Sequence, residues 1–111
     1  MNKDIINKSK LVPVHPGRIL QNKFLAPLGI TQSQLARDIN VSVRKINEIC
    51  QGKRSITIDT AARLAIYWPV SVQFWLGVQQ QYDWETFQDK LEKELKNTIR
   101  PYQEKFQPTV H

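Results

Sequence analysis

Eight side chains in the middle of the chain are of types that contact nucleic acids. They are Gln32, Ser42, Val43, Arg44, Lys45, Asn47, Lys53 and Arg54. The guanidinium of Arg44 presents two parallel N–H donors, which match the two acceptors at the major-groove edge of guanine. The amide of Asn47 offers one donor and one acceptor, which match adenine. These two residues are therefore the candidates for reading base sequence.

Other members of the set suit contacts that orient a protein on a duplex. Val43 could touch a thymine methyl group, and Ser42 and Lys45 could reach a phosphate or a base edge. Gln32 lies at the start of a predicted helix, where unpaired backbone N–H groups favour a phosphate. Together with the base readers, these residues predict a double-stranded DNA partner.

Positive charge is concentrated in the same half of the chain. The 111 residues carry 16 Lys and Arg against 10 Asp and Glu, a formal net charge of +6. Residues 1–63 hold 11 of the basic side chains and 4 of the acidic ones, so the remainder is close to neutral. Lys53 and Arg54 follow the base readers and could bind backbone phosphates. The basic half favours a nucleic-acid partner, although these cations would also suit an ordinary solvated face.

Two short helices joined by a tight turn, within residues 31–54, would position these side chains. Thr31, with an amide side chain three residues on, matches a capping box at the start of the first helix. Asn40 tolerates the left-handed backbone that a tight interhelical turn needs. Ser42 caps the second helix and Gly52 ends it. The pattern is that of a helix-turn-helix, whose second helix presents its N-terminal residues to base edges in the major groove.

The second helix of this unit has an apolar side and a polar side. Apolar residues at helical spacing mark the buried side: Ile46, Ile49 and Cys50. Val43, Arg44 and Asn47 are one, three and four residues apart, so they share the opposite side. The candidate base readers are therefore expected to face solvent together.

Three further helices are predicted from capping residues and apolar spacing. The first opens at HPG, residues 15–17, where proline suits the first helical position, and Pro27 and Gly29 are expected to end it. Another is capped by Thr57 or Asp59, and a long C-terminal helix follows. The predicted fold class is all-α: a five-helix, repressor-like helix-turn-helix domain with a long C-terminal helix.

The chain divides into three predicted segments. We expect a flexible N-terminal arm at residues 1–14 and a DNA-binding and dimerisation domain at residues 15–100. A loosely ordered tail is expected at residues 101–111. A single domain is all that 111 residues allow.

Several classes of function lack their usual signatures in the sequence. Cys50 is the only cysteine, so no disulfide can form within the chain, and its apolar neighbours suit a buried position. His15 could be a ligand or a general base, but no cluster of His, Cys or carboxylates accompanies it, which favours a contact at a helix start.

Nucleophile–base pairs, metal-ligand spacings and phosphate loops are missing, so we predict no enzyme, metal or cofactor. With neither a signal peptide nor an apolar run of about 20 residues, a cytoplasmic protein is expected.

Short motifs along the chain carry a likeness to a known family. They are HPG at 15–17, PLGITQ at 27–32, GKRSIT at 52–57, FWL at 74–76 and Tyr82-Asp83. On these motifs the chain resembles the HigA-type, or VapI-like, antitoxins over about residues 13–87. The resemblance implies a homodimer that binds its own operator as an autorepressor. It also implies a partner toxin, a small basic RelE-like mRNA endonuclease, which the antitoxin neutralises.

Two other interpretations of the helix-turn-helix are open. One is a plain helix-turn-helix transcriptional repressor without a toxin partner. The other is an interaction scaffold that has lost DNA binding, against which the retained cations argue. An apolar stripe of Leu91, Leu95 and Ile99 suits packing within the chain, a dimer seam or a toxin surface, and the sequence does not choose among them.

Overall fold

The computed structural model describes residues 12–103, and these form five helices. They are α1 at residues 16–28, α2 at Gln32–Ile39, α3 at Val43–Cys50, α4 at Ile58–Tyr67 and α5 at residues 72–98. Two of them include a π-helical stretch, at Leu20–Leu25 in α1 and at Leu91–Leu95 in α5. The described residues contain no strand, and the predicted all-α, five-helix fold is confirmed.

Hydroxyl side chains start four of these helices. The side-chain oxygens of Thr31, Ser42, Thr57 and Ser71 each accept a hydrogen bond from the backbone N–H three residues on, at 3.0–3.4 Å. These bonds satisfy N–H groups that have no partner inside the helix. Of the two capping residues predicted for α4, Thr57 is the cap and Asp59 lies within the first turn.

Of the two residues expected to end the first helix, Gly29 does so, whereas the helix runs past Pro27. It continues to Leu28 and closes at Gly29, whose φ of 68° lies in the left-handed region. The turn before Pro27 has the wider π form, in which the N–H of Ala26 donates to the carbonyl of Gln21. Because proline lacks an N–H and crowds the carbonyl four residues back, the wider turn gives the ring room.

The hydrophobic core receives side chains from all five helices. Its fully buried members are Leu20, Leu25, Leu35, Ile46, Ile49, Ala61, Leu64 and Trp75. The ring of Trp75 packs against that of Phe24, with 5.0 Å between the centroids. Burying a side chain such as Ile46 or Ile49 stabilises the fold by about 1.5–3 kcal/mol. The core therefore fixes which side of α3 faces inward.

An apolar stripe on the second half of α5 lies outside this core. Trp84 is 47% exposed and Ile99 is 60% exposed, while Leu91 and Leu95 are half-buried. A groove of about 450 Å³ is lined by Leu91, Leu95, Lys96, Ile99 and Pro101. Within residues 12–103, the stripe is thus not explained by packing in the core.

The predicted arm and tail fall mostly outside the described residues, so their boundaries stay predictions. Residues 12–14 and 101–103 are described and have no regular secondary structure. None of the helices between residues 12 and 103 combines the length and the apolar character that a bilayer crossing requires.

Candidate nucleic-acid interface

The outer side of α3 carries the candidate base readers, as the sequence predicts. Val43 is 48% exposed and the Arg44 side chain is 83% exposed. Asn47 is exposed too, and Ile46 and Ile49 on the opposite side are fully buried. Because the core holds one side of α3, the other side is presented as a rigid surface.

A chain of side-chain amides joins α1, α2 and α3 at this surface. The Nε2 of Gln32 donates to the Oε1 of Gln21 at 3.0 Å. The Nδ2 of Asn47 donates in turn to the Oε1 of Gln32 at 3.1 Å. The second Nδ2 hydrogen and the Oδ1 of Asn47 make no hydrogen bond within the described residues. Asn47 therefore keeps the one donor and one acceptor that adenine requires, on a side chain whose rotation is fixed.

Two arginines of the interface share one carboxylate. The Nε of Arg44 donates to Glu48 Oε2 at 3.0 Å. The Nε and Nη2 of Arg54 lie 2.9 and 2.8 Å from Glu48 Oε1. These hydrogen bonds, the one from Arg44 first, lower the pKa of the Glu48 carboxyl, so it is ionised at neutral pH. Glu48 thus brings together residues that stand ten positions apart in the sequence.

The start of α3 places two further candidates. Ser42 accepts a hydrogen bond from the backbone N–H of Lys45 at 3.0 Å and caps the helix. The Lys45 side chain is half-exposed, so its ammonium group can reach a ligand beside the helix. Ser42 therefore has a structural role here, whereas its contact with DNA stays a prediction.

The loop after α3 holds the candidate phosphate-binding cations. Lys53 is exposed, and its backbone N–H donates to the carbonyl of Glu48 at 2.8 Å. The loop is tied to α5 by the buried Gln79, whose Oε1 accepts from the N–H of Ile56 at 2.8 Å. The Nε2 of Gln79 donates to the Oδ1 of Asp83 at 3.0 Å, which fixes the amide. The backbone of Lys53 is thus held by the end of α3, and the loop that follows it is tied to α5 at Ile56.

The turn of the helix-turn-helix is held from α4. Asn40 adopts the left-handed conformation expected of it, with φ 61°. The Nη1 of Arg63 donates to the carbonyls of Ile39 and Asn40 at 2.9 and 3.3 Å. The hydroxyl of Tyr67 donates to the Oδ2 of Asp38 at 2.6 Å. The bonds from Arg63 satisfy carbonyls at the end of α2, and together with the bond from Tyr67 they tie the turn to α4.

The HPG motif supports the far end of α3. The Nδ1 of His15 accepts from the N–H of Gly17 at 2.9 Å and caps α1, while its ring meets Tyr82 edge-on at 4.8 Å. Burial lowers the pKa of His15, although Asp83 raises it to a smaller extent. Gly17 lies directly against α3, because a Cβ there would stand 1.7 Å from the carbonyl oxygen of Ile49. The expected role of His15 in a helix-start contact is confirmed.

Cys50 ends α3 with its thiol in the core. It is 8% exposed, and burial raises the pKa of the thiol to about 11. A neutral, enclosed thiol is a poor nucleophile. No group of three His, Cys, Asp or Glu side chains in the described part of the chain could hold a metal ion.

Sequence reasoning missed three residues that organise the interface: Gln21, Glu48 and Gln79. The pairing of Arg44 with Glu48 could have been predicted from the sequence, because the two residues are four positions apart on one helix. The contacts of Glu48 with Arg54, of Gln21 with Gln32 and of Gln79 with Ile56 cross between elements. No local sequence pattern predicts these contacts.

These features define the class of the protein. One side of α3 is held by the core, and the other presents exposed Arg and Asn side chains beside α2. This is the arrangement of a helix-turn-helix, whose second helix lies in the major groove in DNA-binding proteins of this class. A family model described as "Helix-turn-helix" matches residues 22–75. The class predicted from the sequence is thus confirmed.

Known relatives narrow the class to a family. The chain is 42% identical to Virulence-associated protein I of Dichelobacter nodosus over 76 residues, 68% of this chain and 70% of that protein. It is 33% identical to antitoxin HigA-1 of Vibrio cholerae over 82 residues, 73% and 77% of the two chains. The solved structure of the Pseudomonas aeruginosa antitoxin HigA with the higBA promoter matches with a TM-score of 0.76 at 37% identity, covering 81% of this chain and 98% of that one. The chain belongs to the HigA-type antitoxins, a family of helix-turn-helix DNA-binding regulators.

Proposed function

We propose that this protein is the antitoxin of a type II toxin–antitoxin pair, and that it binds its own operator as a dimeric autorepressor. The observation that carries the proposal is the exposed side of α3, where the side chains of Arg44 and Asn47 face solvent on a helix whose other side is buried in the core. The Pseudomonas aeruginosa relative, which was solved with the higBA promoter, supports a promoter as the ligand. A protein that acts on its operator works where the DNA is, which we expect to be the cytoplasm.

The interface residues divide into two roles in this proposal. Arg44 and Asn47 read base edges, and Val43 contacts a thymine methyl group. The other candidates contact the phosphate backbone and set the register of the protein on the duplex: Gln32, Ser42, Lys45, Lys53 and Arg54. The division follows from side-chain chemistry. The exposure of Arg44, Asn47, Lys53 and Arg54, and the net charge of +6, support contact with DNA.

A homodimer is the second part of the proposal. One reading helix covers only a few base pairs, and two copies related by a two-fold axis would cover two half-sites about 34 Å apart. The partly exposed stripe of Leu91, Leu95 and Ile99 supports a protein contact by the C-terminal part of α5, since apolar patches of this kind are commonly buried in complexes.

The DNA-binding part is tested with the duplex found immediately upstream of the protein's own coding sequence. We expect tighter binding to it than to a duplex of scrambled sequence, with footprints on two half-sites. The affinity should fall steeply with salt, because phosphate contacts release counterions. No binding to either duplex at physiological salt would favour the scaffold interpretation, and equal affinity for both would contradict operator recognition.

The toxin is the third part, and it is tested separately. We propose a small basic RelE-like mRNA endonuclease as the partner that this protein binds and neutralises. The experiment is a pull-down of the tagged protein from its native cells, with the mass of any stoichiometric partner determined. A small basic protein that is encoded next to this gene and is toxic when expressed alone is the expected result. Recovery of the chain only with itself would instead support a plain dimeric repressor.

A further inference from the structure

Glu48 is the only acidic residue of α3, and it lies within the proposed DNA-binding surface. Its side chain is 24% exposed and contacts Arg44 and Arg54 at 2.8–3.0 Å. A carboxylate at this place repels the phosphates that the surrounding cations attract. Glu48 therefore weakens the attraction of this surface for the phosphates of DNA of any sequence.

We propose that Glu48 is a specificity-determining residue, which holds Arg44 and Arg54 away from the phosphates of non-operator DNA. The inference rests on the operator binding proposed above and adds to it a means of rejecting other sequences. Affinity for arbitrary DNA comes almost entirely from phosphate neutralisation. Discrimination is a difference of two affinities, so it grows when non-operator binding is weakened more than operator binding.

Glu48 holds Arg54 by more contacts than it holds Arg44. Arg54 donates a hydrogen bond from Nε to one oxygen of Glu48 and places Nη2 within 2.8 Å of the same oxygen, so a phosphate must displace both contacts to recruit it. Arg44 uses only its Nε on Glu48, and its side chain is 83% exposed. The outer nitrogens of Arg44 stay accessible to the O6 and N7 acceptors of guanine while Glu48 holds the inner one. Glu48 thus limits phosphate binding more than base reading.

The test is the substitution Glu48→Gln, which keeps the size of the side chain and removes its charge. The probes are the upstream duplex and a scrambled duplex of the same composition. We expect affinity for the scrambled duplex to rise about fivefold, because both arginines are freed for phosphates. Affinity for the upstream duplex should rise only about twofold, because there Arg44 stays on its base and only Arg54 is freed. The slope of log K against log salt on the scrambled duplex should steepen by about one to two, one for each released arginine.

The matched control is Glu92→Gln, which removes an equal charge from a carboxylate that pairs with Lys96 on the distant part of α5. It should leave both affinities and the salt slope at the wild-type values. In an Arg54→Gln background, the gain that Glu48→Gln gives on the scrambled duplex should shrink. A merely structural role of Glu48 would change the thermal stability without producing this coupling.

The outcomes separate the inference from the proposed function. If the wild-type protein prefers the upstream duplex, and Glu48→Gln matches Glu92→Gln in both affinities and in salt slope, the inference alone is overturned. It is also overturned if the gain on scrambled DNA has the same size in the Arg54→Gln background. If the wild-type protein shows no preference between the duplexes, operator binding itself fails, whatever Glu48→Gln does.

Discussion

The side-chain amide of Asn47 on α3 donates to the amide oxygen of Gln32 on α2 at 3.1 Å, across a separation of 15 residues. The bond joins the two helices of the helix-turn-helix at the surface proposed to meet DNA. Gln32 is itself held by Gln21 on α1, so the orientation of Asn47 depends on three helices. A base-reading side chain that is fixed before binding loses less conformational entropy when it binds.

Gln32→Ala should therefore weaken operator binding by about fivefold to tenfold, because it removes both a candidate phosphate contact and the partner that orients Asn47. The free energy of unfolding should change by less than about 1 kcal/mol, because the bonds lie near the surface. Fluorescence anisotropy with the upstream duplex and thermal denaturation measure the two effects. Gln34→Ala is the matched control, since the Gln34 side chain makes no hydrogen bond within the described residues. Equal affinities for the two variants would contradict the role given to Gln32.

Arg44→Ala should cost about 1–3 kcal/mol of operator binding and relax the preference at one base position. Lys53→Ala should instead weaken binding to all sequences about equally and reduce the salt slope by about one. Affinities for a panel of single-base-pair variants of the upstream duplex distinguish the two patterns. If neither substitution changes binding, α3 is not the reading helix.

Gly17→Ala should destabilise the fold by about 1–3 kcal/mol, because the added methyl would meet the backbone carbonyl of Ile49. The same shift would displace the end of α3, so operator affinity should fall as well. Gly77→Ala is the control, because within residues 12–103 nothing outside the neighbouring backbone of α5 lies within 4 Å of its added Cβ. Removing a glycine from a helix should stabilise the fold by about 0.5–1 kcal/mol. Thermal unfolding of both variants checks the expectation, which fails if Gly17→Ala is as stable as the wild-type protein.

The buried His15 should make stability depend on pH below neutrality. Burial lowers its pKa in the folded protein from the usual 6.5, so the unfolded chain binds the proton more readily. The contribution of neutral His15 is complete above about pH 7 and is lost as the pH falls through 6.5 towards the folded-state pKa. His15→Asn keeps a capping side chain without a titrating group. Its melting temperature should fall less than that of the wild-type protein between about pH 7 and 5, and parallel curves would refute the assignment.

Local patterns in the sequence were enough for the elements and for the class. Helix caps and helical spacing depend on neighbours within four residues, so Thr31, Ser42 and Gly52 mark the bounds of α2 and α3 reliably. The apolar side of α3 likewise follows from spacing alone, and with it the exposure of Arg44 and Asn47. Residues that act through local geometry could therefore be predicted from the sequence alone.

Only the tertiary structure decided which side chains hold the candidate readers in place. The bonds of Gln32 with Gln21 and Asn47 cross between helices, and so does the contact between Gly17 and Ile49. Such pairs depend on the crossing angles of packed helices, which the core sets as a whole and which no short window of sequence encodes. The types of residue at the interface were thus set by the sequence, and their mutual arrangement, with Glu48 between two arginines, was set by the fold.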